Sequence, residues 1–153
     1  MQLTTTDLAL LERLGERERW LVVLATSRPD TSIQMSVVNA GLIEHPLSGE
    51  RVVGIVARGG TVKLRNLRRQ PMATVVFRSG AEWAAIEGRV ELIGPDDPLD
   101  GFAGSRLPEL LREVFRAAGG THDDWPTYDR VMAEERRAVI LIRAERRYGN
   151  QRS

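Results

Sequence analysis

RVVGIVARGGTVKLRNLRRQPMATVVF, residues Arg51 to Phe77, decides how this chain is read. Its two ends, Arg51–Ala57 and Met72–Phe77, are rich in β-branched and small apolar residues and predict two buried strands. The middle has another period. Leu64 and Leu67 fall on one side and Arg65, Arg68 and Arg69 on the other, which predicts a short helix from about Gly60 to Arg69, ended by Pro71. A single short helix set between two strands of an otherwise strand-rich run points to a small β structure rather than to alternating α/β units.

The flanking sequence supports this. RWLVVLAT (19–26) and IQMSVVNAGLI (33–43) are two strands joined by SRPDTS, a turn in which Pro29 fixes φ and Asp30 tolerates the bend. EWAAIEGRVELI (82–93) is a long strand whose central Gly88 predicts a bulge, as at a barrel corner. AVILIRAERRYG (138–149) is a closing strand. Helices are expected at TTTDLALLERLGER, capped by Thr5 or Thr6 with Leu8, Leu11 and Leu14 inward, and at 106–120. A further helix is expected in THDDWPTYDRVMAEERR, capped by Asp124 or Thr127. Short connections make the sheet mostly antiparallel, and about six to seven strands of this size manage their edges best as a closed or split β-barrel with flanking helices. The expectation is one domain over residues 1–153, mainly β with α.

Composition narrows the chemistry. Formal net charge is +1, which argues against bulk nucleic-acid binding. Cysteine is absent, so disulfides, thiol catalysis and cysteine-ligated metals are excluded. The two histidines, His45 and His122, are far apart and outside any HxxxH or HExxH setting, so no metal site is expected. His45 reads as a solvent-exposed turn residue and His122 as a helix-start residue. No apolar run of about 18 residues occurs and the first residues carry charges throughout. The expectation is therefore no membrane span, no signal peptide and a cytoplasmic protein.

Of 22 basic residues, 21 are arginine and one, Lys63, is lysine. Arg58 stands where a strand leaves the sheet. Gly59 and Gly60 leave the backbone open to approach, Thr61 brings a hydroxyl to the first turn of the helix, and Lys63 follows. Free N–H groups, the helix dipole, a hydroxyl, a compact ammonium and a guanidinium together suit a phosphate. The pattern is neither GxxxxGK[ST] nor GxGxxG. Taken alone it is equally compatible with a plain strand-to-helix turn and a solvated lysine. The arginines at 65, 68 and 69 read as a solvated face. Glu82 and Glu87, at odd spacing on one strand, fall on opposite faces and are no catalytic pair.

The order QMSVV, third strand, GGTVKLRNLRRQP, fourth strand, EWAAIEGRVELI resembles the pyridoxamine-5′-phosphate-oxidase-like split barrels. The tail HDDWPTYDRVMAEERRAVILIRAERRYG is similar to that of flavin/deazaflavin oxidoreductases of group B, an actinobacterial branch whose members commonly use the deazaflavin F420. The likeness runs from about Arg19 to Gly149. It implies a homodimer with cofactor sites at the interface and a hydride-transferring oxidoreductase acting on a small electron-poor organic molecule.

By that resemblance, Gln34, Met35, Ser36, Val37 and Val38 lie along the cofactor ring. Val56, Ala57 and Arg58 line the site; Gly59, Gly60, Thr61 and Lys63 hold the phosphate. Trp83 matches an aromatic position reached from the second subunit, though a core indole is an equal reading. Many relatives have arginine at Thr61, which shifts weight to Arg58 and Lys63. Some have asparagine at Val37; Asn39, on the same strand face, is the substitute. FMN is the alternative cofactor, and a non-catalytic F420, flavin or haem carrier the alternative function. A polyanionic F420 tail would find Arg58, Arg65, Arg68 and Arg69 along a groove. The helix pair from Arg106 to Arg136, expected to be the part least fixed by the barrel, shapes the substrate entrance.

Overall fold

A computed structural model of the chain describes residues 1–152. Asp7 sets where the first helix starts. Its backbone N–H donates to Thr4 Oγ1 and its own carboxylate accepts from the Thr4 N–H, both at 3.0 Å, a reciprocal capping box. Helix α1 is therefore Thr5–Arg17 with Thr4 as cap, one residue before the earlier of the two expected caps, because an aspartate at the third helical position reaches back only that far. Leu11 and Leu14 are fully buried; Leu10 joins them, while Leu8 is only half-buried.

The strands are β1 (Leu21–Ser27), β2 (Ile33–Glu44), β3 (Arg51–Ala57), β4 (Met72–Ser79), β5 (Glu82–Ile93) and β6 (Ala138–Gly149). They form a closed barrel in the order β1-β2-β3-β6-β5-β4, and every pairing, including the closing one of β4 on β1, is antiparallel. Helix α2 (Val62–Arg69) spans the gap between β3 and β4, and α3 (Leu107–Ala117) and α4 (Trp125–Glu134) precede β6. Asp124 caps α4, its carboxylate accepting from the Thr127 N–H at 3.2 Å.

The barrel interior holds Leu24, Ile55, Phe77, Ile86 and Ile140, all fully buried, with Leu11 and Leu14 of α1 and Leu64 and Leu67 of α2 completing the cluster. Each such side chain is worth about 1.5–3 kcal/mol of burial. A second core lies outside the barrel wall, where Val52, Val139 and Leu141 meet Leu110, Leu111 and Val114 of α3 and Tyr128 of α4. Gly41 and Gly54 are cross-strand partners beneath α3. A Cβ at Gly41 would come 2.6 Å from Ala117 Cβ, so the missing side chains let the helix lie directly on the sheet. Helix α3 is thus packed directly on the barrel wall, which departs from the expectation that the helix pair is the part least fixed by the barrel.

Gly88 marks a bulge as expected: the β5–β6 register shifts between Glu87 and Gly88, and a Cβ there would overlap the Arg143 carbonyl oxygen. His45 departs from expectation. It is 2% exposed, with Nδ1 accepting the N–H groups of Leu47 and Ser48 (3.2 and 3.3 Å) and Nε2 donating to Glu91 (3.0 Å). The β2–β3 turn wraps onto the imidazole, and two donors at Nδ1 place the ring proton on Nε2. Among the described residues no helix is long and apolar enough to cross a membrane, and no group of three His, Cys, Asp or Glu side chains is placed to hold a metal.

Candidate functional site: a cationic cleft between barrel and helix pair

A cleft of about 360 Å³ opens where β3 ends beside the middle of β2, beneath α3 and α4. The turn after β3 builds its charged side. The Gly59 N–H donates to the Glu135 carbonyl at 3.0 Å, and a Cβ on Gly59 would come 2.7 Å from the Arg136 carbonyl oxygen. Gly59 therefore serves the chain's own packing against the end of α4 rather than a ligand's approach. Gly60 has φ +78° and open space around it, a conformation that favours glycine, and it redirects the chain into α2. Thr61 precedes α2 in an extended conformation, but its hydroxyl donates back to the Arg58 carbonyl at 3.0 Å and no side chain caps the helix. The first-turn N–H groups of α2 are left for solvent or a ligand.

Lys63 is half-buried and makes no ion pair within 4.0 Å of any described carboxylate. Burial, and then the charge of Arg137, push its ammonium below the usual lysine range. Arg58 and Arg137 line the same cleft, and both turn to Glu135: Arg58 Nε lies 3.7 Å from one carboxylate oxygen, and Arg137 reaches the other at 3.1 and 3.2 Å. Two arginines thus share one carboxylate, and Lys63 beside them has none. Such a site attracts an anion, and the desolvation of Lys63 makes that anion's arrival more favourable than at a fully hydrated lysine.

Of the residues singled out in the sequence, Val38, Asn39, Val56, Ala57, Arg58, Thr61 and Lys63 line the cleft, with Gly59 and Gly60 forming the connecting turn. Gln34, Met35, Ser36 and Val37 lie outside it, further back along β2, where Met35 and Val37 are 59% and 67% exposed. Trp83 is not in this cleft either; it meets Tyr148 edge to face at 6.1 Å. The arginines read as a groove are mostly engaged elsewhere. Arg68 makes a bidentate pair with Asp97, both bonds 2.7 Å, so it is no freely solvated side chain. Arg69 bonds the Ser27 carbonyl and Asn66, and Arg65 donates to the Gly60 carbonyl at 2.8 Å.

The helix pair from Arg106 to Arg136, expected to shape the entrance, supplies the far wall through Val114, Phe115 and Ala118 at α3 and Tyr128 and Met132 on α4; sequence reasoning named none of these as site residues and did not foresee Arg137 beside them. Tyr128 is a wall and not an acid. Its hydroxyl donates to the Leu111 carbonyl at 3.2 Å, and burial pushes it up to about 12. Phe115, Trp125 and Tyr128 pack as one aromatic group, with the guanidiniums of Arg112 and Arg116 each over the Trp125 ring. The glycines beneath α3, with the apolar stripe Leu110, Leu111 and Val114, were the available signals that this helix is pressed against the sheet.

No protein-family model matches the chain and no curated protein matches its sequence. Solved structures do share its fold. A conserved hypothetical protein from Mycobacterium tuberculosis superposes with TM-score 0.67 at 18% identity, over 97% of this chain and 86% of that one. A pyridoxamine 5′-phosphate oxidase-related, FMN-binding protein from Nostoc punctiforme gives 0.66 at 13% identity, over 95% and 82%. An F420 reductase gives 0.60 at 20% identity, over 90% and 94%. The fold is that of the FMN-binding, pyridoxamine-phosphate-oxidase-like split barrels.

Proposed function

We propose that the cleft binds the phosphate of a flavin-type cofactor, F420 with FMN as the alternative, and that the protein is a hydride-transferring oxidoreductase of small electron-poor organic acceptors. The observation that carries this reading is the unpaired, half-buried Lys63 at the open N-terminus of α2, with Arg58 and Arg137 beside it. A phosphate satisfies all of these donors together. The fold is shared with an F420 reductase and with an FMN-binding protein, so it accommodates either group.

The cofactor supplies the carbon that carries the hydride. The chain's own residues bind and shield. Lys63, Arg58 and the α2 amides fix the phosphate; Val38, Val56 and Val114 give the cleft apolar walls. With Tyr128 held to Leu111, the proton that completes a reduction comes from solvent.

The exposed Ile33, Met35 and Val37 lie along one face of β2, with Leu21 exposed at the start of neighbouring β1. Their apolar stripe supports a homodimer in which this part of β2 meets the cofactor ring at the interface, and Trp83 enters from the second subunit. We place the protein in the cytoplasm, where such cofactors are reduced. Titration of the purified protein with F420 and separately with FMN tests the proposal. Tight binding of one establishes the cofactor; binding of neither refutes the reading.

A further inference from the structure

The turn between α1 and β1 is the most strained stretch of the backbone. Arg19 and Trp20 are consecutive non-glycine residues with φ +56° and +63°. Such conformations persist only where the surroundings over-determine them, and here they do. The Trp20 N–H donates to the Gly15 carbonyl at 2.7 Å, the Ala40 N–H donates to the Trp20 carbonyl at 2.9 Å, and Asn39 Nδ2 donates to the Arg19 carbonyl at 3.1 Å. The Trp20 ring sits over Gly15 and Gly119, neither of which has room for a side chain.

The turn delivers Arg19 to a second cavity of about 210 Å³, lined also by Asn39, Phe115, Ala118, Gly119 and Gly120. Asn39, Phe115 and Ala118 line the Lys63 cleft too, so the two spaces adjoin across these three residues. Phe115 is a fixed partition: its ring packs against Gly120 and lies 4.9 Å from that of Tyr128. Arg13 and Arg17, on the preceding helix, both reach Glu82 at 2.6 and 4.0 Å, whereas Arg19 has no ion-pair partner among the described residues. An exposed arginine whose backbone is fixed at the rim of a small cavity with an aromatic wall, with no internal counter-ion, suits a planar group that ends in a carboxylate.

We infer that this cavity is a carboxylate-binding subsite adjoining the cofactor cleft, with Arg19 as its recognition residue and Asn39 as the residue that positions it. The inference rests on the cofactor reading of the Lys63 cleft for its catalytic meaning, but its binding chemistry stands on separate residues. The carboxylate belongs either to a conjugated acceptor, which then lies against Phe115, or to the glutamate tail of F420.

The test is calorimetric titration of trans-cinnamate and its neutral analogue cinnamamide into the parent protein, Arg19→Gln and Lys63→Met, with and without saturating cofactor. The parent should bind cinnamate at least tenfold more tightly than cinnamamide. Arg19→Gln should lose about tenfold for cinnamate and nothing for cinnamamide, and Lys63→Met should keep the cinnamate preference. Arg19→Gly, which relieves the left-handed φ while removing the guanidinium, should lose the same tenfold, so the loss does not reflect an unfolded turn. F420 and FMN titrations of Arg19→Gln separate the two sources: a tenfold loss confined to F420 assigns the subsite to the cofactor's tail, and unchanged affinities assign it to the substrate. Lys63→Met binding both cofactors like the parent, with Arg19→Gln still losing cinnamate, removes the cofactor reading and leaves the subsite. Cinnamate bound equally by parent and Arg19→Gln, or not bound by the parent in either form, overturns the inference.

Discussion

Replacing Lys63 by methionine keeps the apolar stem and removes the ammonium, and its two expected effects have opposite signs. In the free protein, burial and the Arg137 charge hold the Lys63 pKa below its usual 10.5. The charged form is therefore disfavoured by folding. That penalty is complete below the lowered value and fades as pH rises from it to the unfolded-chain value. At neutral pH Lys63→Met removes the penalty, so the melting temperature of the free protein should stay level or rise. Cofactor binding should move the other way. A charge-assisted contact to phosphate is worth about 1.5–3 kcal/mol, or roughly 10- to 150-fold in affinity. No carboxylate competes for Lys63, so little of that energy is offset by breaking an existing pair. A bound phosphate also draws the Lys63 pKa back up, so parent affinity should weaken as pH rises through the lowered value, with that dependence flattened in the variant. Fluorescence titration with F420 and FMN between pH 7 and 10, alongside thermal melts, reads all three quantities. A variant that melts lower and binds like the parent would show Lys63 to be an ordinary structural side chain and would refute the phosphate site.

Glu135→Gln frees Arg58 and Arg137 from their shared carboxylate, at 3.7 and 3.1 Å, and should tighten cofactor binding by up to about fivefold, the worth of a partly exposed pair, about 1 kcal/mol; equilibrium titration at low and high salt checks it. Gly88→Ala forces a Cβ into the Arg143 carbonyl and should destabilise the barrel by about 3 kcal/mol or more, read as a lowered denaturation midpoint. Met35→Asp together with Val37→Asp places two charges on the exposed stripe of β2 and should shift the species seen by light scattering from dimer to monomer, with loss of cofactor affinity. The Glu82 carboxyl is lowered to about 2 by hydrogen bonds from Arg13 and then Gln151. Its stabilisation is present above the ordinary value of 4.5 and is lost as pH falls towards 2, so the melting difference between parent and Glu82→Gln should be present at pH 7 and vanish near pH 2.

Local chemistry explains which features could be read from the sequence. Strands β3, β5 and β6 begin and end where expected because β-branched runs meet Gly, Pro or charged turns there, and the Gly88 bulge follows from a glycine inside such a run. The near side of the cleft was legible because Arg58, Thr61 and Lys63 lie close together in the chain. What could not be read depends on partners distant in sequence. Arg68 pairs with Asp97, 29 residues on, and His45 pairs with Glu91, 46 residues on. Nothing near either residue announces these contacts. Arg137 enters the cleft only because α4 ends against the Gly59 turn, a meeting of elements about 75 residues apart in the chain. Thr4 was missed for a smaller reason: three consecutive threonines offer three caps, and the position of Asp7 alone selects among them.

The helix pair carries two duties, which constrains how the acceptor specificity of this cleft can change. Leu110, Leu111, Val114 and Tyr128 cover Val52, Val139 and Leu141, so removing or shortening α3 and α4 would uncover three fully buried residues of the barrel wall. Val114 and Tyr128 are at once core and cleft lining, at 1% and 6% exposure. Substitution there costs stability before it alters any substrate. Ala118 also lines the cleft but is only half-buried and outside the second core, whereas Phe115 and Met132, though half-buried, pack against that core and are constrained by it. The cations Arg58 and Lys63 come from the turn after β3 and the start of α2, and Arg137 from just past the end of α4, so none of the three depends on α3. On the proposed function, cofactor binding and acceptor shape are set by different elements, which meet at Asn39, whose amide fixes the Arg19 turn from a position lining both cavities.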